Sequence, residues 1–389
     1  MTFGASLSEH PVAAHAVGDA VGQLLEQVGE EPDLAVLFVT ADHTGALEDI
    51  VHAVAEILRP RVFVGATANA VVGGGHGVED TPGLSLFAAR LPGRVTPVRL
   101  TAVRAGDGWA VEGLDHEAMA TARSLLLLVD PFTFPVDGLL ADLRTTHPNL
   151  GVVGGLASAA RGPGGNRLVL DGTLHTHGAV GVLLDDAIAP DVVVSQGCRP
   201  IGEPFIVTRA ERSIIFELGG RPALERLIEI IDGLAPDERA LAARGLHCGV
   251  VVNEYKATFE RGDFLIRGVL GADRDAQAIA VGDEVPVGAT IQFQVRDAET
   301  AGEDLIGLLS GHDADAALMF TCNGRGAAMF GDADHDPAIL QDALGPLPAA
   351  GMFCAGELGP VGGRNVLHGF TASILLFSER SDRRPETAL

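Results

Sequence analysis

An α/β fold with mixed sheets is what this chain predicts, and three observations carry the prediction. Short apolar runs end near glycine, amphipathic stretches with three- and four-residue spacing lie between them, and one order of elements recurs. That order is strand, helix, strand, strand. Residues 34–39 are an apolar run; Leu47, Ile50, Val51, Val54, Ile57 and Leu58 follow at helical spacing; 61–64 run into a turn at Gly65; and 84–91 form another strand. A second copy begins at 125–129, with Leu139, Leu140 and Leu143 on its helix, a glycine-terminated strand at 152–155, and a closing strand at 179–184. The third begins at 317–320, with Ile339, Leu340 and Leu344 on the helix and strands at 352–356 and 370–377.

Different material separates the second and third copies. Residues 205–208 and 213–218 read as a hairpin turning through 209–212, and Leu224, Leu227, Ile228 and Ile231 mark an amphipathic helix. Strands are expected at 247–252, 264–269 and 291–295, and Leu305, Leu308 and Leu309 continue as a helix. We place a boundary near Gly233, beside the Pro236-Asp237-Glu238 helix start, giving halves at 30–232 and 233–377, each with its own core. The arginine-rich stretch 378–389 has little to bury and is expected to fray.

Composition narrows the function. A length of 389 residues with 47% hydrophobic content supports more than one core, and a formal charge of -25 repels phosphate backbones, so nucleic acid is not an expected partner. Cys198, Cys248, Cys322 and Cys354 show no CxxC spacing, which argues against a zinc ribbon or a disulfide framework and for a reducing compartment. No apolar stretch approaches membrane-span length and residues 1–10 lack a signal-peptide pattern, so the reading is cytoplasmic, off the membrane. Lys256 is the only lysine, and neither glycine-rich loop, 73–75 or 161–165, carries a Walker pattern. No metal or cofactor is indicated.

The clearest functional signal is Cys322-Asn323-Gly324-Arg325-Gly326, with Gly356-Glu357 some thirty residues on. Glycines at strand exits let the backbone come close to a bound group, a guanidinium suits a carboxylate, and a Glu suits an ammonium or hydroxyl. Opposite charges at two loop tips invite a zwitterion. The plainer alternatives are an Arg325 paired with a nearby acid, a solvated Glu357, and an Asn323 that only shapes the turn. Cys322 is the one serious nucleophile candidate, because a neighbouring cation lowers a thiol's pKa, although a buried core cysteine is the commoner outcome. Asp336-Pro337 reads as a helix N-cap with proline in the first turn.

These motifs, Phe320-Thr321-Cys322-Asn323-Gly324-Arg325-Gly326, then Gly351-Met352-Phe353-Cys354-Ala355-Gly356-Glu357-Leu358-Gly359-Pro360, then Leu367-His368-Gly369-Phe370-Thr371, resemble the C-terminal half of the FIST family. A looser likeness through 34–39 and Val62-Phe63-Val64-Gly65-Ala66-Thr67 extends it to residues 30–377. The resemblance implies a sensory module for a small ligand such as an amino acid, with a signalling protein as its output partner. Where the family's first half tends to carry Gly-Glu this chain has Ala70-Val71, and Ala66 replaces a cysteine, so Thr67 and Asn69 are left to supply the polar wall of a pocket between halves. Arg267 fits the family pattern as a second anion holder. The candidate ligand residues are therefore Arg325, Glu357, Asn323, Cys322, Gly324, Gly326, Gly356, Thr67, Asn69 and Arg267. The expected protein is a non-catalytic binder; the rivals are a Cys322-dependent hydrolase or transferase and an interaction scaffold.

Overall fold

The computed structural model describes residues 1–379 apart from 107, 257 and 260; the fraying expected of 378–389 lies, past residue 379, outside the described residues. Mixed sheets flanked by helices are present, as the α/β reading requires. Three of the four sheets follow one plan. In the first, Leu34–Thr40 runs parallel to Val62–Ala68 and antiparallel to Leu84–Arg90. Ala122–Val129 repeats this with Gly151–Leu156 and Ala179–Asp185, and Ala316–Cys322 with Ala349–Cys354 and Thr371–Phe377. Each sheet also gains an outer strand that sequence periodicity did not disclose: Thr2–Ser8, Val95–Ala105 and Asp191–Gln196.

Every unit sends a hairpin to a different sheet. The hairpin Val71–Gly73 with His76–Val78 pairs with Ala349–Cys354 of the third unit. Leu168–Leu170 with Thr173–His175 pairs with Val62–Ala68 of the first, and Glu357–Val361 with Arg364–His368 pairs with Gly151–Leu156 of the second. The exchange is cyclic, so the three sheets surround one centre. Alternation along Leu34–Thr40 shows how: Leu34, Val36 and Phe38 face a core shared with Leu126, Leu128, Leu318 and Phe320, while Ala35, Leu37 and Val39 face the helices Ala13–Val28 and Leu47–Ala53. Because both faces are covered, the strand reads as a continuous apolar run with no polar alternation.

The turn expected at Gly65 is not there, and two other glycines share its setting. Gly65, Gly154 and Gly351 lie inside their strands, and a Cβ on each would sit 2.6, 2.0 and 2.0 Å from the carbonyl oxygens of Leu37, Leu127 and Met319. Glycine is needed for that close approach, and it gives the three units a common registration point.

Separate cores for two halves do not survive either. The shared core joins residues 34–188 to 316–377, and hydrogen-bonded sheets run across residue 233 in three places. What lies apart is 198–296, an eight-stranded antiparallel sheet with helices Ala223–Gly233 and Pro236–Arg244 against it and its own core around Val207, Leu227, Ile279 and Phe293. It interrupts the third unit between its outer strand and its helix Ala298–Leu309.

Candidate functional site

At the end of Ala316–Cys322 the chain turns sharply: Arg325 N–H donates to the Cys322 carbonyl at 2.8 Å, Asn323 N–H to the Cys354 carbonyl at 2.9 Å, and Gly324 N–H to Cys322 Sγ at 3.4 Å. Asn323 is exposed and serves the turn through its backbone. A Cβ on Gly324 would lie 3.1 Å from the Phe370 ring, a tight fit, and one on Gly326 would displace the Glu79 carboxylate and come within 2.8 Å of the Phe353 ring. Gly356 packs between Leu156 and Leu367 and accepts a 2.8 Å hydrogen bond from Leu156 N–H, a structural duty.

This turn folds Arg325 inward. It is 0% exposed, and its Nε and Nη2 meet Asp336 Oδ2 and Oδ1 at 2.7 and 2.9 Å, a bidentate pair. Thr321 Oγ1 donates to Asp336 Oδ2 at 2.7 Å, and His335 Nδ1 lies 3.0 Å from Oδ1. Burial opposes ionisation of Asp336, but Arg325 and these hydrogen bonds more than offset it and hold the carboxyl well below the usual range. The same carboxylate more than offsets the burial of Arg325 and keeps the guanidinium charged. Asp336 was expected to cap the helix; Asp334 precedes that helix, His335–Leu344, and Asp336 anchors the buried arginine. Since the Asp336-facing edge of the fork is consumed, Arg325 offers a ligand only Nη1, which is buried and without a partner.

Glu357 begins the hairpin lent to the second unit and is also 0% exposed. Its Oε2 accepts from Thr371 N–H and Oγ1 at 3.2 and 2.9 Å, whereas Oε1 has no hydrogen-bond partner of good geometry. Burial pushes its pKa up to about 8, the Thr371 hydrogen bonds and weaker contributions from the Cys322 thiol and Arg325 opposing, so the carboxyl is mostly protonated at pH 7. Register shows that this acid is special to one unit. Leu358 pairs with Gly154, Val72 with Gly351 and Val169 with Gly65, so the counterparts of Glu357 are the apolar Val71 and Leu168.

Arg325 and Glu357 do influence each other electrostatically, but they meet in the interior and not across an open recess. The inserted sheet closes the site. Arg296, at the end of Thr290–Arg296, stacks its guanidinium 4.5 Å from the Phe370 ring centroid and donates to the Gly324 carbonyl; His247 meets the same ring edge-on at 4.6 Å. Arg296 Nε and His247 Nδ1 are buried without partners too. Burial, with Arg296 nearby, lowers the His247 pKa to about 4, so its imidazole is neutral. Sequence reasoning missed both residues, along with Asp336 as the arginine's partner.

The remaining candidates do not join this cluster. Thr67 is fully buried and spent on the backbone of Arg167, while Asn69 is exposed with its N–H held by Ser158 Oγ. Arg267 donates to Asp283 Oδ2 at 2.8 Å and to the carbonyls of Ile266 and Leu367 at 3.1 and 3.0 Å, and lines a separate cavity. No acid stands at 70–71, and Glu79, further along the same hairpin region, accepts from Ala327 N–H at 3.3 Å. Cys322 is not activated: burial and the neighbouring Glu357 push its thiol up to about 12, outweighing Arg325.

Three sheet units around a shared core, with one buried charged cluster at a single unit, define an α/β protein with a built interior polar site. The chain belongs to the FIST family: the FIST N domain matches residues 33–221 and the FIST C domain 223–360. Such domains are associated with sensing and signal transduction. An uncharacterized protein of Mycobacterium bovis, Mb0898c, is 47% identical over 97% of this chain and 99% of its own length. Another of Mycobacterium tuberculosis, Rv0628c, is 46% identical over 97% of this chain and 100% of its own. Among the described residues no helix is long and apolar enough to cross a membrane.

Proposed function

We propose that this chain is a sensory protein that binds a small polar metabolite in the interior cluster without transforming it, and passes the signal to a partner protein in the cytoplasm. One observation carries the reading. Of six buried side-chain nitrogen or oxygen atoms without a hydrogen-bond partner among the described residues, four belong to Arg325, Glu357, Arg296 and His247. Buried polar groups are nearly always satisfied, so their gathering at one place calls for a polar occupant. Two guanidinium N–H groups suit a carboxylate, and the Glu357 carboxyl suits a hydroxyl, amide or ammonium, the pattern of a small amino acid or hydroxy acid. A thiol held protonated beside them supports binding over attack by Cys322.

The test is a thermal-shift panel of amino acids and small carboxylates. At least one should raise the melting temperature, since a ligand at a hundred times its Kd stabilises by ~2.7 kcal/mol. Arg325→Ala alone would strand Asp336, so the control replaces the pair together, Arg325→Met with Asp336→Leu, which should abolish the shift. No shift from any compound, or a shift that survives in the paired variant, refutes the proposal and leaves the scaffold reading.

A further inference from the structure

Neither Arg325 nor Glu357 touches solvent, so any occupant must pass a side chain that moves. On one side of the cluster lies a cavity of about 260 Å³ whose walls include Asp137, Arg267, Asp283 and His368. Phe370 belongs to both places. It lines that cavity, yet its ring also covers Gly324, stacks on Arg296 and meets His247. Its carbonyl accepts from Gly197 N–H at 3.0 Å, and a Cβ on Gly197 would lie 2.9 Å from Arg325 Nη1, which puts the Phe370 backbone beside the unpartnered guanidinium nitrogen. The Phe370 backbone also contacts the Cys322 thiol.

The backbone there is under strain. Phe370 has φ 64°, in the left-handed region that bulky residues seldom enter, and such outliers persist only where surroundings hold them. The backbone is held by the Gly197 hydrogen bond and the Cys322 contact, whereas the half-buried ring is held by one cation–π and one edge-to-face contact, weak interactions that a side-chain rotation can break without moving the backbone.

We propose that Phe370 is the door between the Arg267 cavity and the buried polar cluster of Arg325 and Glu357, and that the ligand enters and leaves past its ring. The proposal rests on that cluster being the ligand site, but its test needs no ligand. Cys322 and Cys198 lie behind the door, and Cys198 packs in the same small cluster as the Phe370 ring, while Cys248 points into the separate core of the inserted sheet. The full-length protein is treated with methyl methanethiosulfonate under native conditions, and modification at each cysteine is followed by peptide mass spectrometry. Phe370→Gly removes the ring and relieves the positive φ; it should accelerate modification of Cys322 about tenfold or more while leaving Cys248 unchanged. Phe370→Trp should slow Cys322. An unchanged Cys322 rate in both variants, or acceleration of Cys248 along with Cys322, overturns the door. The ligand panel reports separately: a shift without a Phe370 effect keeps the site and removes the door, and a Phe370 effect without any shift keeps the door and removes the ligand reading.

Discussion

Replacing Glu357 by Gln should make this protein more stable in alkali, by an amount its burial fixes. The folded-state pKa is about 8 against an ordinary 4.5. Below that ordinary value the folded and unfolded chains both hold the proton, and the full stability is present. From there up to about 8 the folded chain keeps a proton that the unfolded chain releases, so stability falls as pH rises; above about 8 it levels off. Three to four pH units at ~1.36 kcal/mol each amount to a loss of about 4–5 kcal/mol. The amide of Gln mimics the protonated acid, keeping an oxygen for Thr371 and a donor where the carboxyl proton was, and it does not titrate. Urea unfolding should find the two proteins nearly equal at or below about pH 4 and the variant ahead by about 4–5 kcal/mol near pH 9. Contributions from other groups, the depressed His247 and His368 included, cancel in the difference. Parallel pH profiles, or a variant weaker than wild type near pH 9, would show that Glu357 is not a buried neutral acid.

Asp336→Ala should cost about 3–5 kcal/mol in urea unfolding because it strands a buried guanidinium, while the paired Arg325→Met and Asp336→Leu change should recover most of that; equal losses would deny the ion pair its role. Acid should act in the same direction, the stabilisation from the depressed Asp336 carboxyl being present above about pH 4 and lost as pH falls below it. Cys322 should react with iodoacetamide at pH 8 roughly tenfold or more slower than free cysteine, and a rate at or above the free thiol would revive the nucleophile. Gly351→Ala forces a methyl to within 2.0 Å of the Met319 carbonyl oxygen and should cost about 1–3 kcal/mol, measured by denaturant midpoint; a neutral outcome would undo the registration argument.

Much of the frame is legible in the residues. The apolar runs at 34–39, 125–129 and 317–320 each open a unit, because strands covered on both faces must be apolar throughout. The outer strand Thr2–Ser8 is not legible, since an edge strand with few large apolar residues lacks both a run and a clean alternation. Nor is the destination of a hairpin: nothing in Val71-Val72-Gly73 names Ala349–Cys354 as its partner. At the site, the glycine-flanked Arg325 and Glu357 stand out, but their burial does not, because loop composition usually marks exposure. Asp336 misleads for a related reason. An Asp before Pro at a helix start has a sufficient local explanation, and only the tertiary fold shows that it serves a charge eleven residues upstream. Arg296 and His247 carry no local signal at all; the insertion brings them in.

The cyclic loan of hairpins orders events during synthesis. Residues 71–78 leave the ribosome about 270 residues before the strand Ala349–Cys354 that will receive them. At ~5–20 residues per second that wait lasts roughly 15–55 s, with an unpaired apolar ribbon at risk of wrong partners. A nascent chain of this kind finishes the inserted sheet, with its own core at 198–296, before the shared centre can close. Its need for holdase chaperones should therefore be set less by length than by the delay before the last borrower arrives.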